Sequence, residues 1–150
     1  MKIIYHCFGG SHSSVVSACI HLGLLPASRL PSNKELMALP LYDKTKSGDY
    51  GNIKYMGNDN HGNQIYILAK KHLGGRLNNV LNGLAELVGV KDQMIAVNTI
   101  PYINWAMMLG GFTSRRLGLP WLGRPVLFWG TRRAFFNLTS LVQAIKMKLI

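Results

Sequence analysis

Acidic residues are scarce in this chain, and none follows Asp92. Six Asp and Glu stand against 17 Lys and Arg over 150 residues, a formal charge of +11. The late basic residues Arg115, Arg116, Arg124, Arg132, Arg133, Lys146 and Lys148 have no acidic neighbour in sequence. That asymmetry points to a positive surface able to attract phosphates, nucleic acid or anionic lipid. Cysteine is nearly missing too. Cys7 and Cys19 are too few for a disulfide-stapled secreted fold of this length. Long apolar runs are lacking. Only Lys2-Ile3-Ile4-Tyr5 precedes His6, which excludes a signal-peptide reading. The stretch from Tyr102 to Gly130 is broken by Arg115, Arg116, Pro120, Arg124 and Pro125, too often to span a bilayer. Repeats and low-complexity tracts do not occur. The expected compartment is a reducing cytoplasm.

What is present suits one α/β domain over residues 1–150. A chain of this length buries roughly 70% of its unfolded surface. Lys2 to Cys7 is β-rich and ends at a glycine pair, which predicts a first strand. Ser13 to Leu25 carries Val15, Val16, Cys19, Ile20 and Leu22 near helical period, with Ser13 or a neighbouring hydroxyl as N-cap. Ser32-Asn33-Lys34-Glu35 has the spacing of a capping box and opens a short helix before Pro40. Leu41 to Asn52 reads as an exposed connection. Ile53 to Met56 and Gln64 to Lys70 flank a run of turn formers, which predicts a β-hairpin.

Arg76 to Val88 places Leu77, Val80, Leu81, Leu84, Leu87 and Val88 on one helical face, closed by Gly89. Met94 to Asn98 and Pro125 to Trp129 read as buried strands. Tyr102 to Leu117 reads as a helix loosened at Gly110-Gly111, and Asn137 as the cap of a last helix. Trp105, Trp121 and Trp129 fall in apolar runs and are expected in the core. The expected architecture has three layers: a mostly parallel sheet of about five strands, one antiparallel hairpin, and helices on both faces. Ligands of such sheets sit beyond the carboxyl ends of the strands. Cys7, Thr99 and Gly130-Thr131 are expected there.

The chemistry concentrates in His6-Cys7-Phe8-Gly9-Gly10-Ser11-His12-Ser13-Ser14. Glycines let a backbone turn its amides inward. The helix that follows presents free N–H groups and the positive end of its dipole. Gly9, Gly10, Ser11, His12, Ser13 and Ser14 are therefore the expected anion ligands, with His12 adding charge when protonated. Cys7, facing amides and a helix N-terminus, is the candidate nucleophile or redox thiol, with His6 and His12 as further influences. Cys19 is expected in the core. The phosphate loop of nucleotide hydrolases ends in Gly-Lys-Ser/Thr, but Ser13 stands where that Lys belongs.

Ile3 to Ser14 is similar to the start of the low-molecular-weight tyrosine phosphatases, whose loop reads Cys, five residues, Arg, Ser/Thr. Cys7 and Ser14 take its first and last places. Ser13 replaces its Arg, which in such loops holds the phosphoryl oxygens bidentately. No Asp-Pro pair late in the chain offers a general acid. A second resemblance spans the whole chain. Tyr5 to Val15, Gly62-Asn63 with Tyr66, Gly111-Phe112 with Ser114-Arg115-Arg116, and Gly123-Arg124-Pro125 with Gly130-Thr131 carry it. On those residues the chain resembles an uncharacterised bacterial family, domain of unknown function 3189. That resemblance implies a bacterial cytoplasmic protein and no particular activity.

Other candidates are weaker. His6 and His12 share a loop, while His21, His61 and His72 are scattered, so no metal site is expected. Asp43 and Asp59 fall in turn-rich loops. Arg115-Arg116 and Arg132-Arg133 could reach a phosphate or bind nucleic acid non-specifically. The leading expectation is a protein binding a phosphate- or nucleotide-type anion, with a thiol-dependent enzyme as its catalytic form. The rival is a non-catalytic interaction protein whose basic C-terminal half docks an acidic partner or nucleic acid. No cofactor follows from the sequence.

Overall fold

Strand β1 (Lys2–Cys7) runs through the middle of the molecule and is buried from its second residue on. Side chains alternate across a strand. Ile3 and Tyr5 therefore enter one hydrophobic cluster, and Ile4 enters another. The structure, a computed structural model, describes residues 1–149. Beside β1 lie β2 (Ile53–Asn58), β3 (Gln64–Ala69) and β4 (Met94–Asn98) in the order β2-β3-β1-β4. β1 pairs in parallel with β3 and β4, and β2 is antiparallel to β3, with a bulge between Tyr55 and Gly57. The sheet is thus mixed rather than mostly parallel as expected, because the hairpin makes β2, one of only four strands, antiparallel.

Five α-helices accompany it: α1 (Ser13–His21), α2 (Asn33–Ala38), α3 (Arg76–Leu87), α4 (Trp105–Gly111) and α5 (Pro120–Met147). α1 and α5 pack on the Ile3 and Tyr5 side, through Val15, Val16, Leu127, Phe135 and Leu138. α3 covers the other side with Leu77 and Leu81. Of the broad apolar face expected on α3, only Leu77, Leu81 and Ala85 are buried; Val80, Leu84, Leu87 and Val88 lie outside the contact with the sheet. The capping box at α2 forms as expected. Glu35 N–H donates to Ser32 Oγ at 3.2 Å, and Ser32 N–H to Glu35 Oε2 at 2.8 Å. At α1 the N-cap is His12, with no side-chain cap bond, and Ser13 and Ser14 lie in the first turn.

The last third departs from the sequence reading. The sheet has four strands, not about five, because Pro125 to Trp129 is helical. α5 runs without interruption for 28 residues, so Asn137 lies inside it and caps nothing. The glycines explain the difference. A Cβ on Gly123 would sit 2.4 Å from Ser114 N, one on Gly130 2.5 Å from Met107 N, and one on Gly110 2.4 Å from Leu127 N. Here glycine lets α4 and α5 touch backbone to backbone instead of ending an element. Pro125 occupies an exposed position, where losing one helical N–H is tolerated. Gly130-Thr131 is consequently not at a strand end. Thr131 is buried in α5 and bonds Tyr42 Oη at 2.7 Å.

The tryptophans are also misplaced by the sequence reading. Trp105, Trp121 and Trp129 are 66%, 74% and 48% exposed, so none belongs to the core. Among the described residues, no helix is long and apolar enough to cross a membrane.

Candidate functional site

The turn after β1 wraps round the Cys7 sulfur. Gly10 N–H donates to Sγ at 3.1 Å, and Ser14 Oγ lies 3.2 Å from it. Gly10 makes the wrap possible. It adopts φ +58, and a Cβ there would meet Ala69 Cβ at 2.8 Å, so the position takes glycine on two counts. Two further contacts hold the loop from outside. Thr45 Oγ1 donates to the Gly10 carbonyl at 3.0 Å, and Asp43 N–H to the Ser11 carbonyl at 3.0 Å. Ser13 Oγ turns to Thr99 Oγ1 at 2.8 Å, at the end of β4. The N–H groups of Gly9, Ser11, His12 and Ser13 have no acceptor among the described residues.

These residues face a cleft of about 740 Å³. Cys7, Gly9, Ser11, His12 and Ser13 line it, whereas Gly10 lies beneath the loop and Ser14 behind the sulfur. Four cations reach the cleft: Lys46, Lys71, Arg115 and Arg116. Its opposite wall is apolar, built from Ile100, Ile103, Met107 and Phe112.

His12 is held by Asp43, with Nε2 3.1 Å from Oδ1. Asp43 is fully buried. Its Oδ2 accepts from Ser114 Oγ at 2.7 Å and Arg124 Nε at 2.9 Å, and its carbonyl accepts from Arg115 at 2.7 Å. Burial alone would raise this carboxyl, but the bonds from His12, Arg124 and Ser114 prevail and hold it at about 2. Ionised Asp43 can only accept, so His12 Nε2 carries the proton. Ser114 and Arg115 reach it because the chain after α4 widens into a π-turn over Phe112–Arg116, a distortion frequent at functional sites. Asp43 and Lys71 also adopt positive φ, +52 and +49, a backbone cost that concentrates where a site is held together.

Several sequence candidates go elsewhere. His6 points to the α3 side, where Nε2 meets Asn78 Oδ1 at 2.6 Å and Nδ1 is buried without a partner. Burial pushes it down to about 4, so it is neutral and takes no part in the loop. His21 bonds Tyr5 Oη at 2.7 Å and Asp59 at 3.1 Å, which commits Asp59 to the hairpin end. Cys19 is a core residue as expected, its thiol pushed up to about 12 by burial. Arg132 and Arg133 lie on exposed turns of α5, Arg133 over the Trp129 ring at 5.0 Å.

The sequence reading missed Thr45, Lys46 and Lys71. Lys71 had a signal, since it follows β3 at the same sheet edge as Cys7. Thr45 and Lys46 had none, because nothing local shows that a polar connection folds back on a distant loop. Among the described residues, no group of three or more His, Cys, Asp or Glu could hold a metal ion.

The chain belongs to a family defined only as a protein of unknown function, DUF3189, whose model matches residues 2–147. No curated protein and no solved structure matches it.

Proposed function

We propose that the cleft binds a phosphate-bearing small molecule, its phosphoryl group seated in the Cys7–Ser14 loop over the sulfur. The observation that carries this reading is the set of N–H groups at Gly9, Ser11, His12 and Ser13 that lack an acceptor among the described residues, on residues that line the same cleft as four cations. Unpaired amides at a helix start and a positive dipole end favour an anion. Arg115 and Arg116, which line the cleft, stand in for the loop arginine that Ser13 replaces, since a guanidinium fork matches phosphoryl oxygens bidentately. The apolar wall at Ile103, Met107 and Phe112 suits an organic body such as a nucleoside.

A second reading makes Cys7 a nucleophile, favoured by the Gly10 N–H donated to its sulfur and the Ser14 hydroxyl beside it. In that reaction the Cys7 thiol gives up its proton to solvent and Sγ bonds to phosphorus as the phosphorus–oxygen ester bond breaks. The electron pair leaves with the oxygen, which takes a proton from solvent. Water then releases phosphate and restores the thiol.

Thermal melting with inorganic phosphate tests the binding reading. Phosphate at 100 times its Kd should stabilise by about 2.7 kcal/mol. Arg116→Ala should weaken the effect. A Tm indifferent to phosphate would count against the site.

A further inference from the structure

We infer that the outer face of the α4–α5 pair docks on an anionic lipid surface. Trp105, Met108 and Leu109 on α4 and Phe112 at the start of the π-turn recur at helical spacing, and all four are exposed. Trp121, Leu122 and Trp129 continue the face on α5, and Trp105 and Trp129 stand 6.1 Å apart, which joins the two stripes. The turn between the helices adds exposed Leu117 and Leu119. A contiguous apolar face of this kind on a soluble domain marks an interaction site.

Charge selects the occupant. Arg115 and Arg116 follow Phe112 on the π-turn, Arg132 and Arg133 lie exposed on the turn of α5 after Trp129 with Arg133 over its ring, and no acidic residue follows Asp92. A second copy of this chain has almost nothing to set against them. Of its six acidic residues, Glu35, Asp43, Asp49, Asp59 and Glu86 already bond Arg29, Arg124, Lys54, His21 and Lys91. Only Asp92 is without an ion pair among the described residues. Two copies meeting face to face would oppose arginine to arginine. A nucleic acid would use the rings and the arginines but has no use for Met108, Leu109, Leu117, Leu119 and Leu122. Indole rings, aliphatic side chains and arginines together match the boundary between headgroups and acyl chains. α5 is not apolar enough to cross the bilayer, so the pair lies on it. Met108, Phe112, Arg115 and Arg116 also line the cleft, which places the cleft at the edge of the docked face.

Co-sedimentation of the full chain with vesicles tests this, using phosphatidylcholine alone and phosphatidylcholine mixed with phosphatidylglycerol. Binding should require phosphatidylglycerol, shift tryptophan emission to the blue and weaken with salt. The double variant Trp121→Ser, Leu122→Ser should bind at least about tenfold less, and Arg132→Glu with Arg133→Glu should do the same. Leu84→Ser with Leu87→Ser, exposed on α3, should leave binding unchanged and controls for loss of any apolar surface. Circular dichroism of each variant checks folding. The inference is overturned by equal binding to neutral vesicles, by no binding to anionic ones, or by binding that the α5 variants leave intact. It is equally overturned if those variants instead abolish a dimer in sedimentation, or abolish binding to RNA or an acidic protein with vesicles unbound.

Discussion

The loop after β1 and the face of α4–α5 both carry unsatisfied groups, but of opposite kinds. In the loop, Phe8 apart, what is left over is polar: N–H groups with no acceptor among the described residues, next to four cations. On α4–α5 the backbone is satisfied and what is left over is apolar: three indoles in solvent. A polar remainder inside a cleft selects a small anion, because each buried N–H costs free energy until it is bonded. An apolar remainder on an outer face selects a surface, because its gain scales with area. The two proposed recognition modes would share Met108, Phe112, Arg115 and Arg116, which line the cleft.

The comparison is most easily broken at the glycine contact that shapes both regions. Gly123→Val forces a branched side chain to within 2.4 Å of the Ser114 backbone. We expect a loss of about 3 kcal/mol or more in urea unfolding. The π-turn should be disturbed with it, so phosphate binding and vesicle binding should fall together. Retention of either at full strength would mean that the crossing of α4 and α5 matters less than its geometry implies.

Acid should separate the two sides of the sheet. The folded His6 titrates at about 4 against its ordinary 6.5, so below 6.5 the unfolded chain binds a proton that the native one refuses. Stability is therefore expected to fall as pH drops from 6.5 towards 4, by about 3 kcal/mol at most. Asp43 acts in the next window. Its folded value of about 2 lies below the ordinary 3.8, so its contribution is present above 3.8 and lost on the way to 2, roughly 2 kcal/mol in all. Urea titrations across pH check both. His6→Gln should shrink the first window, to which His21, also lowered by burial, contributes as well, and leave the second. A wild-type stability constant from pH 6.5 to 4 would contradict the burial assigned to His6.

The smallest stability effect is expected at Trp121. It is 74% exposed, so Trp121→Ser should change stability by less than about 0.5 kcal/mol while impairing vesicle binding. A much larger loss in thermal melting would mean that the indole packs against the protein.

The two regions also differed in how far the sequence exposed them. β1, its loop, the α2 capping box and the hairpin follow from local rules: a β-rich run, a Ser-x-x-Glu spacing, a cluster of turn formers. The family relation was legible in the loop after β1 and in short glycine motifs spread along the chain, those of the last third included. The fold of the last third was not legible. Gly110, Gly123 and Gly130 look like breakers, yet they are close-contact positions whose meaning exists only once α4 lies against α5. The run Val126-Leu127-Phe128-Trp129 has strand-like composition, but tertiary contact overrides that preference. The tryptophans were assigned to the core by hydrophobicity alone, which ignores that an unpartnered face can be apolar. In the site, Asp43 was a candidate among turn residues, but its partners Ser114 and Arg124 lie 71 and 81 residues away in sequence. No local pattern encodes such a contact.

The central claim is that the Cys7 sulfur sits under an anion seat. Alkylation by iodoacetamide near neutral pH, followed by peptide mass spectrometry, tests it most directly. The sulfur at the cleft should react well before Cys19, which is sealed in the core. Inorganic phosphate should slow Cys7 labelling in proportion to occupancy and leave Cys19 untouched. Labelling of both cysteines only on unfolding, or Cys7 labelling at a rate that phosphate does not change, would contradict the account.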